Sequence, residues 1–151
     1  MANFKNWLQA FRLRTLPLSL APVFTGTGIA YKEAYIKPEV FVFTLITTLF
    51  LQILSNLAND YGDFIKGTDN ENRVGEKRAL QSGVISEREM KKAVILFGLL
   101  SFIVGLLLLF FSFDTIQTQG LLIMLGIGIT CIVAAITYTI GKKSYGYIGL
   151  G

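Results

Sequence analysis

The stretch from Asn56 to Asp63 places two carboxylates and two carboxamides at the end of a long uncharged segment, and this constrains the fold most. The chain carries no Asp, Glu, Lys or Arg between Val40 and Asn59. About 20 such residues are enough to cross a bilayer as an α-helix. Ionisable side chains at the edge of a membrane span are costly to keep there and indicate a functional site by default. We therefore expect a membrane protein with a polar site at the end of this span.

The chemistry of this polar cluster favours a hard cation. Asp60, Asp63 and, shortly after them, Asp69 supply carboxylates, whereas the chain contains no His and a single Cys. Oxygen-rich clusters suit Mg²⁺ better than zinc or copper. Because Mg²⁺ is usually shared between a few carboxylates and substrate phosphates, the cluster predicts a membrane-embedded site for a phosphorylated or diphosphorylated substrate.

Four membrane spans are predicted from the uncharged stretches, so the expected fold class is an all-α polytopic transmembrane bundle. The spans cover residues 15–31, 40–59, 93–113 and 115–141, with a polar loop over 61–90. Charged residues make up 16% of the chain, below the roughly 25% that is usual in soluble domains. The basic cluster before the first span resembles the start of a signal peptide. Because three more spans follow, we expect that segment to remain a membrane helix.

Local signals predict where two of these helices begin. Pro17 fits a first helical turn, where its missing N–H costs little, and Pro22 predicts a kink or an interruption in the first span. Ser86 followed by Glu89 forms a capping box that starts the third helix. We interpret Ser86 and Glu89 as structural.

The distribution of basic residues predicts the orientation in the membrane. They precede the first span, occupy the loop between the second and third spans and follow the fourth, but are absent between the third and fourth. The positive-inside rule then places both termini and the long loop on the cytoplasmic side. We expect the protein to lie in a cell inner membrane. The basic residues in these three cytoplasmic segments are Lys5, Arg12, Arg14, Lys66, Arg73, Lys77, Arg78, Arg88, Lys91, Lys92, Lys142 and Lys143.

Helical spacing places the polar cluster on one face. Asn56 and Asp60 are four residues apart, as are Asn59 and Asp63, so all four share a face if the helix continues past the motif. The alternative is a polar cap that ends the helix at the membrane interface. Carboxylates at a helix C-terminus oppose the macrodipole and repel each other, and a bound divalent cation removes both costs. We therefore favour the metal site.

The polar loop supplies candidate anion ligands. Arg73 and Arg78 are candidates for binding diphosphate oxygens, since the guanidinium fork matches phosphate geometry. We interpret Lys77, with Arg88, Lys91 and Lys92, as ordinary positive-inside residues.

The acidic motif and its loop resemble the UbiA-type intramembrane prenyltransferases, and within them the branch that acts on 1,4-dihydroxy-2-naphthoate. The third acid lies at Asp69 rather than at position 67, a shift typical of that branch. The resemblance covers nearly the whole chain. Its elements are Asn-Leu-Ala-Asn-Asp-Tyr-Gly-Asp-x-x-Lys-Gly-x-Asp over residues 56–69, Arg73, Arg78-x-x-Gln81-x-Gly83-x-Ile85, Arg14-Thr15-Leu16-Pro17, and Gly141-Lys142-Lys143 with Tyr145-Gly146-Tyr147-x-Gly149-Leu150-Gly151.

The resemblance implies a nine-helix fold with two acidic motifs that face each other across a cavity. Residues 1–151 then correspond to the N-terminal portion of a single transmembrane prenyltransferase domain. We expect this portion to insert into lipid, to be inactive alone, and to pair with the missing C-terminal half or with itself through small residues such as Gly126 and Gly128. No nucleic-acid partner is expected.

The implied reaction transfers a polyprenyl group from polyprenyl diphosphate to 1,4-dihydroxy-2-naphthoate with loss of CO₂, giving demethylmenaquinone. The resemblance makes Asp60 and Asp63 the catalytic residues. Mg²⁺ would be held by Asn56, Asp60, Asp63 and Asp69. Diphosphate contacts would come from Arg73, Arg78 and Lys142.

Two alternatives stay open at this point. Another acceptor, such as homogentisate, 4-hydroxybenzoate or haem, would keep the metal site and change the aromatic pocket, although the spacing from Asp63 to Asp69 argues against the hydroxybenzoate branch. The chain could instead be a non-catalytic membrane helical module. A second acidic motif directly downstream would favour the enzyme.

Overall fold

The computed structural model describes residues 3–33, 35–70, 77–113 and 118–150, and this part of the chain is helical without any strand. The all-α class predicted from the sequence is therefore confirmed. Two short 3-10 helices, Leu13–Thr15 and Tyr145–Tyr147, complete the order. The α-helices are α1 (Phe4–Phe11), α2 (Leu16–Lys32), α3 (Pro38–Ile65), α4 (Glu87–Ser112) and α5 (Thr118–Thr137).

Three helices, α3, α4 and α5, are long and apolar enough to cross a membrane, within the ranges that the structure describes. The protein is thus a multi-pass membrane protein. α2 has 17 residues, or about 25 Å of helix, close to the roughly 30 Å hydrocarbon core. Pro17 lies in its first turn as predicted, and the helix continues through Pro22 without the interruption that we considered.

The start of α4 is fixed by the predicted capping box. The backbone N–H of Glu89 donates to the Ser86 hydroxyl at 3.3 Å, and the backbone N–H of Ser86 donates to the Glu89 carboxylate at 2.9 Å. The two side chains thereby satisfy N–H groups that the first turn leaves without helical partners. This prediction is confirmed.

The boundaries of two predicted segments differ from those observed. α3 runs on to Ile65, so residues 61–65, Asp63 among them, are helical rather than part of a loop that begins at residue 61. α5 ends at Thr137 instead of continuing to residue 141. Both differences arise because the presence or absence of charge was used to place the span ends, whereas α3 stays helical past its first charged residues and α5 ends before the uncharged stretch does.

The packed core sits at one end of α3. Eight residues buried in α3 lie between Ile53 and Gly62, whereas α5 has no buried residue among those described. α1, the start of α4 and the loop residues Ala79, Leu80 and Ile85 cover the same end. The tightest packing therefore surrounds the acidic motif, and the remaining helix surface is apolar and exposed.

One contact fixes the segment after α5 against α3. Gly62 meets Thr139 so closely that a Cβ at position 62 would lie 2.7 Å from the Thr139 carbonyl carbon. The Thr139 hydroxyl donates to the Ala58 carbonyl at 2.9 Å. Glycine at position 62 is thus required by the close approach of two backbones.

We predict that Gly62→Ala destabilises the protein by about 1–3 kcal/mol through overpacking. Gly98→Ala is the matched control, because Gly98 is also helical but has no atom within 4 Å of the added Cβ. That change should leave stability unchanged or slightly raise it, since Ala favours helix over Gly. Thermal denaturation of the two variants in detergent measures the difference. Equal midpoints would contradict the close approach.

Candidate functional site

The acidic motif lies on a continuous helix, as the spacing argument required. Asn56, Asn59, Asp60 and Asp63 all belong to α3. Asn56 and Asp60 are buried, at 4% and 1% exposure, and Asp63 is half-buried. The motif therefore runs from the packed core toward the open end of the helix.

The buried carboxylate of Asp60 is paired with two guanidinium groups from distant parts of the chain. Arg12 Nη2 donates to Asp60 Oδ1. Arg78 Nε lies 3.5 Å from the same oxygen. A buried carboxylate without a partner would be strongly destabilising, so these two cations are what allows Asp60 to be charged inside the protein.

Arg12 reaches Asp60 from an unusual backbone conformation. It ends α1 with φ 52° and ψ 59°, in the left-handed region, and its N–H donates to the Gln9 carbonyl. A non-glycine residue there costs about 1–2 kcal/mol. Such outliers persist where the surroundings hold them and concentrate at functional sites. Arg12 Nε is buried and has no hydrogen-bond partner among the described residues.

A basic pocket opens beside this ion pair. Its volume is about 250 Å³, and Asp60 forms part of its wall. Guanidinium and ammonium groups outnumber the single described carboxylate, so the pocket attracts an anion. Planar guanidinium groups match phosphate oxygens. The cations that line it are Arg12, Arg14, Lys77 and Arg78.

Asn56 connects α3 with the junction between α1 and α2. Its Nδ2 donates to the Phe11 carbonyl at 2.9 Å and lies 3.1 Å from the Thr15 hydroxyl. The Asn56 Oδ1 accepts from Gln52 Nε2 at 3.4 Å. These bonds place the chain that carries Arg12 over the buried motif.

Asp63 is held by a residue from the other end of the chain. The Tyr147 hydroxyl donates to Asp63 Oδ1 and lies 2.8 Å from the Thr68 hydroxyl. Burial and, next, the hydrogen bond to Asp63 raise the pKa of the Tyr147 phenol. The phenol therefore stays protonated, and remains a donor, at neutral pH.

The remaining predicted site residues are dispersed. Asp69 is half-buried just after α3, and its N–H approaches the Asp63 carbonyl at 3.5 Å. Lys142 is exposed and lines a separate cavity with Gly62 and Lys66, away from the basic pocket. Arg73 lies outside the described residues. Across the described ranges, no three Asp, Glu, His or Cys side chains form a cluster that could hold a metal.

The structure adds four residues that the sequence reasoning did not assign to the site. Arg12, Arg14 and Lys77 line the pocket, but their positive charge was fully explained by membrane orientation. Tyr147 contacts Asp63, and its only signal was its place in the C-terminal resemblance. Contacts over such sequence separations leave no local pattern to read.

Comparison with known proteins places these features in a family. The model of the UbiA prenyltransferase family matches residues 19–150. The chain is 47% identical over its whole length to 1,4-dihydroxy-2-naphthoate octaprenyltransferase of Escherichia coli, covering 48% of that protein. It is 45% identical, over 99% of the chain, to the enzyme of that name from Haemophilus influenzae, again covering 48%. For Mycobacterium tuberculosis the identity is 36% over the whole chain and 49% of the relative.

The chain thus spans about half the length of the curated relatives it matches. No solved structure matches it.

We predict that the Arg12–Asp60 pair is energetically coupled. Arg12→Ala should cost about 3 kcal/mol, because it removes one of the two cations that offset a buried charge. In the double variant Arg12→Ala/Asp60→Asn the loss should be smaller than the sum of the single losses, by about 0.5–3 kcal/mol. Denaturation in detergent measures the free energy of unfolding of the wild type, the two single variants and the double variant. Arg88→Ala, at an exposed position, is the control. Strict additivity would show that the two side chains do not interact.

Proposed function

Because the chain belongs to the UbiA prenyltransferase family, we propose that the protein transfers a polyprenyl group from polyprenyl diphosphate to 1,4-dihydroxy-2-naphthoate. Three relatives that carry this acceptor in their names support the choice of substrate. The observation that carries the proposal is the basic pocket beside buried Asp60, at the end of an apolar helix bundle. In a diphosphate with an apolar tail, the anionic diphosphate matches the basic pocket and the apolar tail matches the helix bundle.

The cations of the pocket would bind the diphosphate. Arg12, Arg78 and their neighbours Arg14 and Lys77 offer charge-assisted hydrogen bonds to its oxygens. As the bond between the prenyl carbon and oxygen breaks, its electron pair goes to the diphosphate. Fixed cations aimed at that group stabilise the charge that develops on it. Arg73 and Lys142 remain predicted additional contacts.

The donor chemistry of the motif suits a divalent cation shared with the diphosphate, because Mg²⁺ takes only one or two protein carboxylates where phosphate oxygens and water complete its coordination. The carboxylates of Asp60 and Asp63 and the carboxamide of Asn56 are hard oxygen ligands on one helix, with Asp69 shortly beyond. When bound, Mg²⁺ would supply further neutralisation of the diphosphate. Arg12 and Arg78, which face Asp60, would provide part of this neutralisation from the chain itself.

The apolar helices would protect the reactive prenyl group from water. The prenyl carbon forms a bond to the electron-rich naphthoate ring at the carbon that bears the carboxylate. That carboxylate leaves as CO₂ and restores the aromatic ring, which gives the reduced form of demethylmenaquinone. Water in the cavity would compete for the prenyl carbon, so the exclusion of solvent is a requirement of the chemistry.

The assay uses membranes from cells that express the full-length protein, with a polyprenyl diphosphate, Mg²⁺ and 1,4-dihydroxy-2-naphthoate. Prenylated naphthoate should form, whereas homogentisate and 4-hydroxybenzoate should yield little product. Preferential prenylation of another acceptor would replace the substrate assignment and keep the reaction type. No prenylation of any acceptor would favour the non-catalytic module.

We predict that Asp60→Ala and Asp63→Ala each lower turnover by at least about 100-fold. Each change removes a carboxylate that would hold the Mg²⁺ that neutralises the leaving diphosphate. Arg12→Ala should raise the KM for the polyprenyl diphosphate. Ser86→Ala is the control, since it removes only a helix cap worth about 1 kcal/mol. Comparable turnover of Asp60→Ala and Ser86→Ala would leave the acidic motif without a catalytic role.

We also propose that the motif faces the cytoplasm in a cell inner membrane, because the positive-inside rule assigns the basic loop to that side. A cysteine at Thr68, which is exposed just after α3, should react with a membrane-impermeant thiol reagent only in inverted vesicles, with a Cys131→Ser background. Labelling of this cysteine in right-side-out cells would show that the motif faces the opposite side of the membrane.

A further inference from the structure

Tyr147 joins the segment after α5 to the acidic motif, although 84 residues separate it from Asp63. Its hydroxyl donates to Asp63 Oδ1, and the Thr68 hydroxyl lies 2.8 Å from the same phenol oxygen. The phenol thus sits between the last turns of α3 and the loop that follows. The rotation of the Asp63 carboxylate is constrained by this bond.

The ring of Tyr147 is fixed by a neighbouring cation. Lys66 Nζ lies 4.1 Å from the ring centroid, within the range of a cation–π interaction. The same ammonium donates to the hydroxyl of buried Ser144. Lys66 therefore holds both ends of the short segment 144–147 against the end of α3.

The backbone around Tyr147 is also ordered by its own hydrogen bonds. The Tyr147 N–H donates to the Ser144 carbonyl at 3.1 Å, and the Gly146 N–H donates to the Tyr138 carbonyl at 3.0 Å. A Cβ at position 146 would lie 2.8 Å from that Tyr138 oxygen. These contacts hold segment 144–147 in one position, with the Tyr147 phenol directed at Asp63.

We propose that Tyr147 is a positioning residue that orients the Asp63 carboxylate for the divalent cation, an inference that rests on the cation assignment of the proposed function. The hydrogen bond takes one carboxylate oxygen and leaves the other for a ligand. Partners of this kind fix the orientation of metal-binding side chains, and losing one typically weakens metal affinity or activity by 10–100-fold. Tyr147 acts through Asp63 and is given no contact with substrate.

The test compares Tyr147→Phe with Tyr145→Phe in the full-length protein. Tyr147→Phe keeps the ring and its contact with Lys66 but removes the donor. Tyr145→Phe makes the same chemical change nearby, where the hydroxyl donates to the Ala134 carbonyl at 3.0 Å. Two quantities are measured: binding of Mn²⁺ alone to purified protein in nanodiscs by electron paramagnetic resonance, and the Mg²⁺ concentration that gives half-maximal prenyl transfer. Asp63→Asn serves as the positive control.

We expect Tyr147→Phe to weaken Mn²⁺ binding and raise the half-maximal Mg²⁺ concentration, each by about 10–100-fold, with Tyr145→Phe close to the wild type. Wild-type Mn²⁺ affinity in Tyr147→Phe, equal losses in both variants, or no Mn²⁺ binding by the wild type would each overturn the inference. The proposed reaction is judged separately. A wild type that binds Mn²⁺ in a Tyr147-dependent way but transfers no prenyl group would retain the positioning role and refute the reaction.

Discussion

The burial of the Asp60 carboxyl group inside the protein is the constraint on which the rest of the structure depends. Removing a carboxylate from water costs several kcal/mol even after relaxation, and Asp60 is 1% exposed. Its compensation comes from Arg12 and Arg78, on opposite sides of it in sequence. The junction of α1 and α2 and the loop before α4 must therefore both fold onto α3. The packed end of the molecule is assembled by this requirement.

Apolar packing cannot by itself explain why the core lies at that end. Lipid tails are as apolar as Leu, so burying apolar helix surface within a bilayer gives little net gain. Hydrogen bonds and ion pairs supply the directional contacts instead. Asn56 bonds to Phe11 and Thr15, and Thr139 bonds to Ala58. The polar groups thus position the site and hold the helix ends together at the same time.

Much of the fold could be predicted because its determinants are local. Uncharged length predicted the membrane helices, and the Ser86–Glu89 spacing predicted the start of α4. Helical spacing also placed Asn56, Asp60 and Asp63 on one helix. The partners of those residues were not predictable in this way. Arg12 meets Asp60 and Tyr147 meets Asp63 only after the chain folds, and neither pair has a periodicity that a single sequence reveals.

Arg12 illustrates how one residue can serve several requirements. As a basic residue before a span it contributes to membrane orientation, and its Nη2 compensates Asp60. The guanidinium has five N–H donors in a fixed plane, so Nη2 can hold the Asp60 carboxylate while other N–H groups of this side chain, which is 17% exposed beside the pocket, are offered to a phosphate oxygen. In the proposed function, diphosphate binding would then complete the hydrogen bonding of Arg12 without displacing Asp60. In that arrangement one cation between two anions would offset the cost of the left-handed backbone at Arg12.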